Sequence, residues 1–303
     1  MSYSAPQSSV KYGFESTYGT PASASIFPCY NAEVSFTKNK RVEEITRVGS
    51  LIIEDQSPIL MWDNSGNITG WLSNPWFLKC LYNTPTPSGS GPYTYSYTIL
   101  RHTAQSITID SHYGRLVGCI LTGFTVSARY GERCTLTLPF ISGHPPVSIT
   151  MAGIIPDSNV DYPFIYYNGS VSGTYTYGSI REFSLTVDNT AEIIRRIGQL
   201  NPADAVYTKH SVTIDFTVLF SSTTLLNEFI NDVRGTGSSV ITLQLDNGAT
   251  GTAQRRISFQ VYGPYTIQNW SYNNAPNALI EARFTVKGSI LQVQAINNRN
   301  THP

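Results

Sequence analysis

A segment in the first half of the chain returns in the second half, and this repeat limits the possible folds more than any other feature. Glu33 to Leu51 aligns without a gap with Glu182 to Leu200, 149 positions later, and eight of the nineteen aligned pairs are identical. All eight have the same parity, so in an extended chain they lie on one mostly polar face. The repeat predicts two related units. The identical pairs are Glu33/Glu182, Ser35/Ser184, Thr37/Thr186, Glu43/Glu192, Ile45/Ile194, Arg47/Arg196, Gly49/Gly198 and Leu51/Leu200.

Polar and apolar residues alternate along much of the chain, which is typical of strands with one buried face. Two segments instead predict helices, Asn74 to Tyr82 with Pro75 in its first turn, and Thr223 to Val233 with an apolar stripe. The predicted class is mainly β, with α+β character: two tandem β-sandwich or barrel domains, each with one flanking helix and a long hairpin. The clearest alternating runs are 33–37, 93–97, 106–109, 124–126, 135–138, 183–187, 212–216 and 257–261.

Later features also keep the same order in both halves. A closing hairpin turns at Tyr130 to Arg133 in the first half and at Asn273 to Asn277 in the second. The stretch between the units is rich in Pro and Gly, which indicates a connection between domains. The predicted divisions are an N-terminal arm (1–26), a first β domain (27–143), a linker (144–161), a second β domain (162–290) and a C-terminal tail (291–303).

The composition argues against several functional classes. Charged residues are 13% of the chain, with 20 basic and 20 acidic side chains, so the long basic footprint of a DNA-gripping protein is missing. We find no catalytic motif, the five histidines are scattered, and the four cysteines form no CxxC pair. We therefore expect no enzyme activity, no cofactor and no metal site. The first residues do not form a signal peptide and no apolar run could span a bilayer, so we expect a soluble protein made in a cytoplasm, without membrane contact.

The order of several short motifs resembles the phage tail tube proteins, the major tail proteins of tailed viruses. Tyr18-Gly-Thr-Pro21 precedes Phe27-Pro-Cys29 and the Glu/Arg-rich segment Glu33 to Gly49, and Phe183 to Asn189 matches a Phe-Ser-Leu-Thr-x-Asp-Asn pattern of the second half. Ser106 to Ile109, Gly118-Cys119 and Phe124 to Ser127 are similar to the family's middle strands. The resemblance implies a β-sandwich or small barrel with one helix and a long hairpin that lines a channel.

The resemblance also implies a function. The chain would be a structural protein of the virion tail, made in the host cytoplasm, whose copies form stacked rings around a channel for the viral genome. Tubes of this kind commonly present six tube domains per ring, so a chain with two domains implies a trimer with approximate sixfold symmetry. The expected partners are further copies of the chain, other tail proteins (terminator, tape measure, and baseplate or tip), and DNA that passes without specific binding.

The charged members of the repeated face are the candidate functional residues. If the resemblance holds, they line the lumen or form ion pairs between subunits; the alternative is a solvated strand face with little energetic weight. Three basic residues of the first copy replace Val187, Asn189 and Thr190 of the second, and we expect them to point at the next ring. The two sets are Glu43, Arg47, Glu192 and Arg196, and Lys38, Lys40 and Arg41.

Two other functions stay open at the level of sequence. Tyr93, Tyr95 and Tyr97 could form a platform for carbohydrate in an adhesive two-domain β protein, although such a ladder is more often one face of a packed strand. A tail terminator or capsid decoration protein would form one closed ring and stop. Trp62, Trp71 and Trp76 are predicted to belong to the core rather than to a ligand site.

Overall fold

The computed structural model describes residues 10–23, 25–26, 30–41, 44–45, 55–56, 61–111, 114–149, 162–173, 179–219, 240–273, 281–288 and 290–298. Antiparallel strands dominate these residues, which confirms the predicted mainly β class. The strands are β1 (Lys11–Phe14), β2 (Ser25–Ile26), β3 (Tyr30–Thr37), β4 (Lys40–Arg41), β5 (Glu44–Ile45), β6 (Asp55–Gln56), β7 (Met61–Trp62), β8 (Asn64–Trp71), β9 (Tyr93–Tyr97), β10 (Ile107–Ser111), β11 (Gly114–Leu121), β12 (Gly123–Arg129), β13 (Thr135–Ser142), β14 (Gly169–Gly173), β15 (Ser179–Ile194), β16 (Asp204–Leu219), β17 (Val240–Asp246), β18 (Arg256–Tyr262), β19 (Thr266–Asn273), β20 (Glu281–Gly288) and β21 (Ile290–Asn297).

The described residues contain one α-helix, α1 (Leu78–Leu81), which is shorter than the predicted segment. The backbone N–H groups of Leu78, Lys79 and Cys80 each donate to the carbonyl three residues earlier, so the preceding turn is of the tighter 3₁₀ type. The helix ends at Tyr82, which is extended. Short 3₁₀ turns lie at Tyr166–Asn168 and Gly251–Ala253. The second predicted helix, 223–233, lies outside the described residues.

The large sheet contains two groups of four strands in the same order. The first quartet runs β12-β13-β8-β3 and the second runs β19-β20-β16-β15, with all neighbours antiparallel. By chain order and by the sequence repeat, β3 corresponds to β15, β8 to β16, β13 to β20 and β12 to β19. The quartets join side by side because β12 pairs with β15. We call this contact the seam.

A second layer of strands covers the apolar face of the quartets. The first half contributes β2-β1-β10-β11, which continues from β13, and the second half contributes β14-β17-β18-β21. Strand β9 departs from this division, because it belongs to the first half but pairs with β21 of the second. Buried side chains of both halves form one continuous core, in which Phe124 of the large sheet lies 6.0 Å from Phe259 of the covering layer between ring centroids.

Both halves carry a long hairpin that begins in the large sheet. In the second half, β15 and β16 have 16 residues each and pair along their length. In the first half, β3 pairs with β8, and β4 pairs with β7 in the same register. Strand β5 then pairs with β6 in a register that is shifted by two residues. The resemblance implied such a hairpin. Residues 46–54, between β5 and β6 in the sequence, lie outside the described residues.

Several aromatic side chains lie where the sequence predicted them, and the described cysteines are also buried. Tyr95 and Tyr97 are fully buried, so the tyrosine ladder is mainly part of the core. Trp76 is fully buried, whereas Trp62 and Trp71 are partly buried. The free thiols of Cys80, Cys119 and Cys134 are buried, and burial raises their pKa values, while Cys29 lies outside the described residues.

Candidate subunit interface

The seam is a regular antiparallel pairing between two parts of the same chain. Its register runs from Gly123 opposite Asp188 to Arg129 opposite Glu182. Hydroxyl groups also meet across it: Ser127 Oγ and Ser184 Oγ are 3.1 Å apart, and the Thr125 and Thr186 Oγ1 atoms form a similar pair. Ser184 and Thr186 belong to the repeated face, so the repeat has a direct role in joining the quartets.

The two outer edges of the eight quartet strands are β3 and β19. Within the described part of the chain, β3 pairs only with β8 and β19 pairs only with β20. The side chains of Glu33, Ser35 and Thr37 on β3 are exposed. Unpaired edge strands present free backbone N–H and C=O groups, which proteins must protect or pair. An edge of this length is therefore a candidate interface.

The two edges are the counterparts of the two strands that already pair at the seam. Glu33 and Glu182 are aligned in the repeat, and the Cα partners that follow from each can be traced strand by strand across its own quartet. This tracing ends at Thr125 in the first quartet and at Ser271 in the second, so these two residues are equivalent, as are Thr37 and Thr186. The edge β3 of one copy and the edge β19 of another thus have the geometry to repeat the seam, with Thr37 opposite Ser271.

The face of the quartets that points away from the covering layer is polar. Thr285 donates to Asp215 at 2.5 Å on this face, and a groove of about 570 Å³ lies above it. Basic and acidic side chains are interspersed, and neither sign dominates. The charged residues on this face include Glu182, Asp188, Glu192 and Asp215, together with Arg129, Lys209 and Arg283.

The predicted site residues fall into two groups. Glu192 and Arg196 are exposed, the first near the end of β15 and the second in the turn that follows it. Glu43 and Arg47 lie outside the described residues, so their predicted roles stay predictions. Glu192 is the Cα partner of Val206 in β16, and the pairing of β15 with β12 ends at Asp188. The part of the hairpin that contains Glu192 therefore extends beyond the seam.

Lys38 and Lys40 lie near the junction of β3 and β4. The ammonium group of Lys38 is 4.9 Å from the centre of the Trp62 ring, and Lys40 is the Cα partner of Trp62. Lys38 and Lys40 are one and three positions after Thr37, and successive side chains of a strand point to opposite faces. Both lysines therefore lie on the side of the sheet opposite the polar face. Arg41 lies in β4, for which the structure describes the backbone but not the Arg41 side chain. The prediction that these residues contact the next ring stays a prediction.

A buried polar cluster near the N-terminus was not anticipated from the sequence. Glu15 is only 4% exposed. Its carboxyl group accepts hydrogen bonds from Gly19 N at 2.8 Å, Gly118 N at 2.8 Å and Thr108 Oγ1 at 2.9 Å. These donors stabilise a buried carboxylate. The Tyr18-Gly-Thr-Pro21 motif marked one side of the cluster, but its partners are about 90 to 130 residues away, and no spacing rule connects them.

The histidine of this cluster is tightly enclosed. A Cβ atom on Gly19 would lie 2.4 Å from the His144 ring, and one on Gly118 would lie 2.6 Å from it, so both positions require glycine. Burial lowers the pKa of His144; Glu15 opposes this effect and Arg195 adds to it. The ring therefore favours the neutral form, and it fixes the N-terminal turn against β11.

Among the described residues, no group of His, Cys, Asp and Glu is arranged to hold a metal ion. The described helix is also too short to cross a membrane. The features of the molecule that stand out are instead the large sheet, its polar face and its two open described edges. They define the class, a mainly β protein with a large antiparallel sheet.

Comparison with known families identifies the kind of protein. A family model described as phage tail tube protein matches residues 5–288, which include both quartets. The chain belongs to the phage tail tube protein family. Its role is therefore structural, in the tail of the virion, where the family implies association with further copies and with other tail components. A search of curated proteins finds no match.

Proposed function

We propose that three copies of this chain close into a ring in which β3 of each subunit pairs with β19 of the next. The observation that supports this is the seam, because it already joins the counterparts of these two strands within one chain. Repetition of the same contact between chains would protect both edges. A head-to-tail contact of this kind gives a ring when its rotation closes.

The number of chains follows from the two quartets. If each quartet, within its predicted domain of 27–143 or 162–290, is one tube unit, a ring of six units needs three chains. The six quartets would form a barrel of about 24 strands. With strands about 4.8 Å apart and tilted by about 40°, the barrel would be roughly 48 Å across between backbones, which is wider than a DNA duplex.

The polar face of the quartets would line this channel. Its hydroxyl groups and interspersed charges suit the passage of DNA, because binding to phosphates strengthens with each added basic contact and a basic lining would hold the genome. The apolar face cannot line the channel, since the covering layer buries it. Stacked rings would then form the tube, which the terminator, tape measure and baseplate or tip proteins would contact.

Electron microscopy and mass measurement of the purified chain test this function. We expect tubes built from rings that look sixfold symmetric at low resolution and contain three chains. Rings of six chains would contradict the proposed stoichiometry. Closed rings that never stack would support a terminator or decoration protein, and monomers that bind glycans would support an adhesive protein instead.

A further inference from the structure

The turn between β15 and β16 exposes apolar side chains at one end of the long hairpin. Residues 196–201 are all exposed, and among them Ile197 is 107% exposed and Leu200 is 68% exposed relative to reference values. We call residues 195–203 the hairpin tip. By sequence, the aligned positions in the first half are Val48 and Leu51, so both halves carry apolar residues there. Exposed apolar side chains, at positions that are also apolar in the sequence of the other half, indicate a contact surface.

Hydrogen bonds hold the base of the hairpin tip without using these side chains. Arg195 Nη2 donates to Trp62 O at 2.7 Å and to Asp63 Oδ1 at 2.8 Å. Ala203 N donates to Ile194 O at 2.8 Å and closes the base of the turn. Gly198, with φ of 83°, provides the left-handed conformation in the turn. A preorganised loop loses little entropy when it binds a partner.

A groove lined by tyrosines lies at the opposite end of the same strands. It is formed by the start of β15, the end of β12 and the segment before β14, and encloses about 290 Å³. Tyr130 and Tyr166 contact each other with ring centroids 4.7 Å apart, and Tyr130 and Tyr167 are 62% and 70% exposed. This tyrosine groove opens at one end of the core between the sheet layers.

The two surfaces also carry complementary charges. Arg196 lies exposed in the hairpin tip. Glu182 and Arg181 both line the tyrosine groove, and because Arg181 forms an ion pair with Glu281, Glu182 is the acidic group that the groove offers. Arg196 and Glu182 are both identical in the sequence repeat, where their counterparts are Arg47 and Glu33. By sequence, each half therefore carries an arginine fourteen positions after a glutamate.

We propose that the hairpin tip of one subunit docks in the tyrosine groove of a copy in the adjacent ring, with Ile197 and Leu200 against the tyrosines and Arg196 near Glu182. This inference rests on the proposed ring, since stacking places opposite ends of equivalent strands together. Strand β15 from Glu182 to Ile194 spans about 40 Å at about 3.3 Å per residue. A barrel tilt of about 40° shortens this to about 30 Å along the tube, and the turn that holds Arg196 brings the ring-to-ring repeat to roughly 35 Å.

Charged substitutions in the hairpin tip test the contact. Ile197→Asp with Leu200→Asp should raise the protein concentration needed for tubes by at least about tenfold, because two apolar side chains lose their partner. Trimeric rings should persist, since neither side chain contacts the sheet edges. Gln199→Asp adds a charge to the same exposed loop and should leave tube formation nearly unchanged.

The tyrosine groove has its own matched pair of variants. Tyr167→Ala should weaken tube formation, whereas Tyr162→Ala, which removes an even more exposed tyrosine outside the groove, should not. In a direct test, Leu200→Cys combined with Tyr167→Cys should give, on oxidation, covalent chains larger than one ring. Without reducing agent these products should run as a high-molecular-weight ladder.

The outcomes separate this contact from the ring itself. If the unchanged chain forms tubes and the Ile197→Asp/Leu200→Asp variant forms them equally well, the docking of the tip is refuted and the ring stands. A cross-link between positions 167 and 200 that never joins more chains than one ring also refutes it. If the unchanged chain forms no rings, both the proposed function and this inference fail.

Discussion

Thr125 and Thr186 face each other across the seam, with their hydroxyl oxygens 3.2 Å apart. They are 61 positions apart in the sequence and belong to different quartets. In the proposed ring, their counterparts at the contact between chains are Ser271 and Thr37. The register of the seam within one chain thus predicts the register of the proposed contact between β3 and β19 of neighbouring subunits.

Cysteines at these counterpart positions should count the subunits in a ring. Thr37→Cys with Ser271→Cys places two thiols directly opposite each other in an antiparallel pair, within the Cα separation that a disulfide needs. On oxidation we expect covalent dimers and trimers in a denaturing gel without reducing agent, and nothing larger from a single ring. Covalent hexamers would show that six chains form the ring.

A change of register controls for random collision of the thiols. Ser35→Cys with Asn269→Cys uses the same two strands but separates the thiols by four residues along the edge, or about 13 Å. This variant should not form the covalent trimer. If it cross-links as well as the matched pair does, the proposed register is wrong.

Replacement of Gly123 should disrupt the seam. Gly123 has φ of 148°, and a Cβ atom there would lie 2.0 Å from Val187 O, so alanine must push β12 away from β15. We expect Gly123→Ala to lower the free energy of unfolding by about 2–4 kcal/mol. Gly131→Ala, in a turn with open space around it, should cost only about 1 kcal/mol. Urea denaturation of both variants measures the difference.

The buried Glu15 carboxylate should be needed for stability. Glu15→Gln replaces one acceptor oxygen by an NH₂ group that faces other donors, so we expect a loss of about 2–4 kcal/mol in the free energy of unfolding. Glu192→Gln, at an exposed strand position, should change it by less than about 0.5 kcal/mol. Equal effects of the two substitutions would contradict the importance of the three hydrogen bonds to Glu15.

Stability should fall as the pH drops below about 6.5, the ordinary pKa of histidine. Burial lowers the pKa of His144 in the folded chain, and Glu15 and Arg195 act on it in opposite directions; burial also lowers the pKa of His210. The unfolded chain then binds protons at a higher pH than the folded chain does, so acid favours unfolding. The loss is complete below the folded pKa values.

Denaturation at pH 7.5 and at pH 5.5 isolates the part played by His144. Other groups also titrate in this range, so the useful quantity is the difference between the unchanged chain and His144→Gln. The variant should be less stable at pH 7.5 but should lose less stability on acidification. An identical loss in both proteins would show that His144 is not responsible.

A basic lining should turn the channel into a DNA trap. Thr190→Lys adds a positive charge to the polar face of every subunit, so tubes of this variant should retain duplex DNA at low salt and release it as salt rises. Tubes of the unchanged chain should not retain it. Thr250→Lys adds the same charge to an exposed loop of the covering layer and should give no salt-dependent retention inside the tube.

Much of the fold could be predicted from local patterns. Period-two alternation identified strands such as β15 and β16, because each buries one face and exposes the other. The turn at Tyr130 to Arg133 was visible from its Gly and polar residues. The predicted helix from Asn74 proved shorter, since its first turn has 3₁₀ rather than α-helical hydrogen bonds.

Contacts between distant segments could not be predicted in the same way. The repeat showed that Glu182 to Leu200 resembles Glu33 to Leu51, but not that β15 pairs with β12. Glu15, Gly118 and His144 meet through the fold alone: local motifs include Tyr18 to Pro21 and Gly118, but no sequence spacing shows that these segments contact each other. Candidate residues at the hairpin tip were therefore identified only in part. Arg196 and Leu200 both lie in identical pairs of the repeat, but only Arg196 was a candidate, because the exposure of Leu200 and Ile197 is known from the structure alone.

Strand β9 has a consequence for the history of such a chain. It leaves the first half to pair with β21, and Tyr82 of the first half donates through its hydroxyl to Leu291 O at 3.4 Å. If the chain were divided between its halves, the first piece would expose Tyr95 and Tyr97 and the second would expose the edge of β21. Once β9 paired with β21, the duplicated gene could not simply be divided into two single-unit genes, because neither product would fold completely.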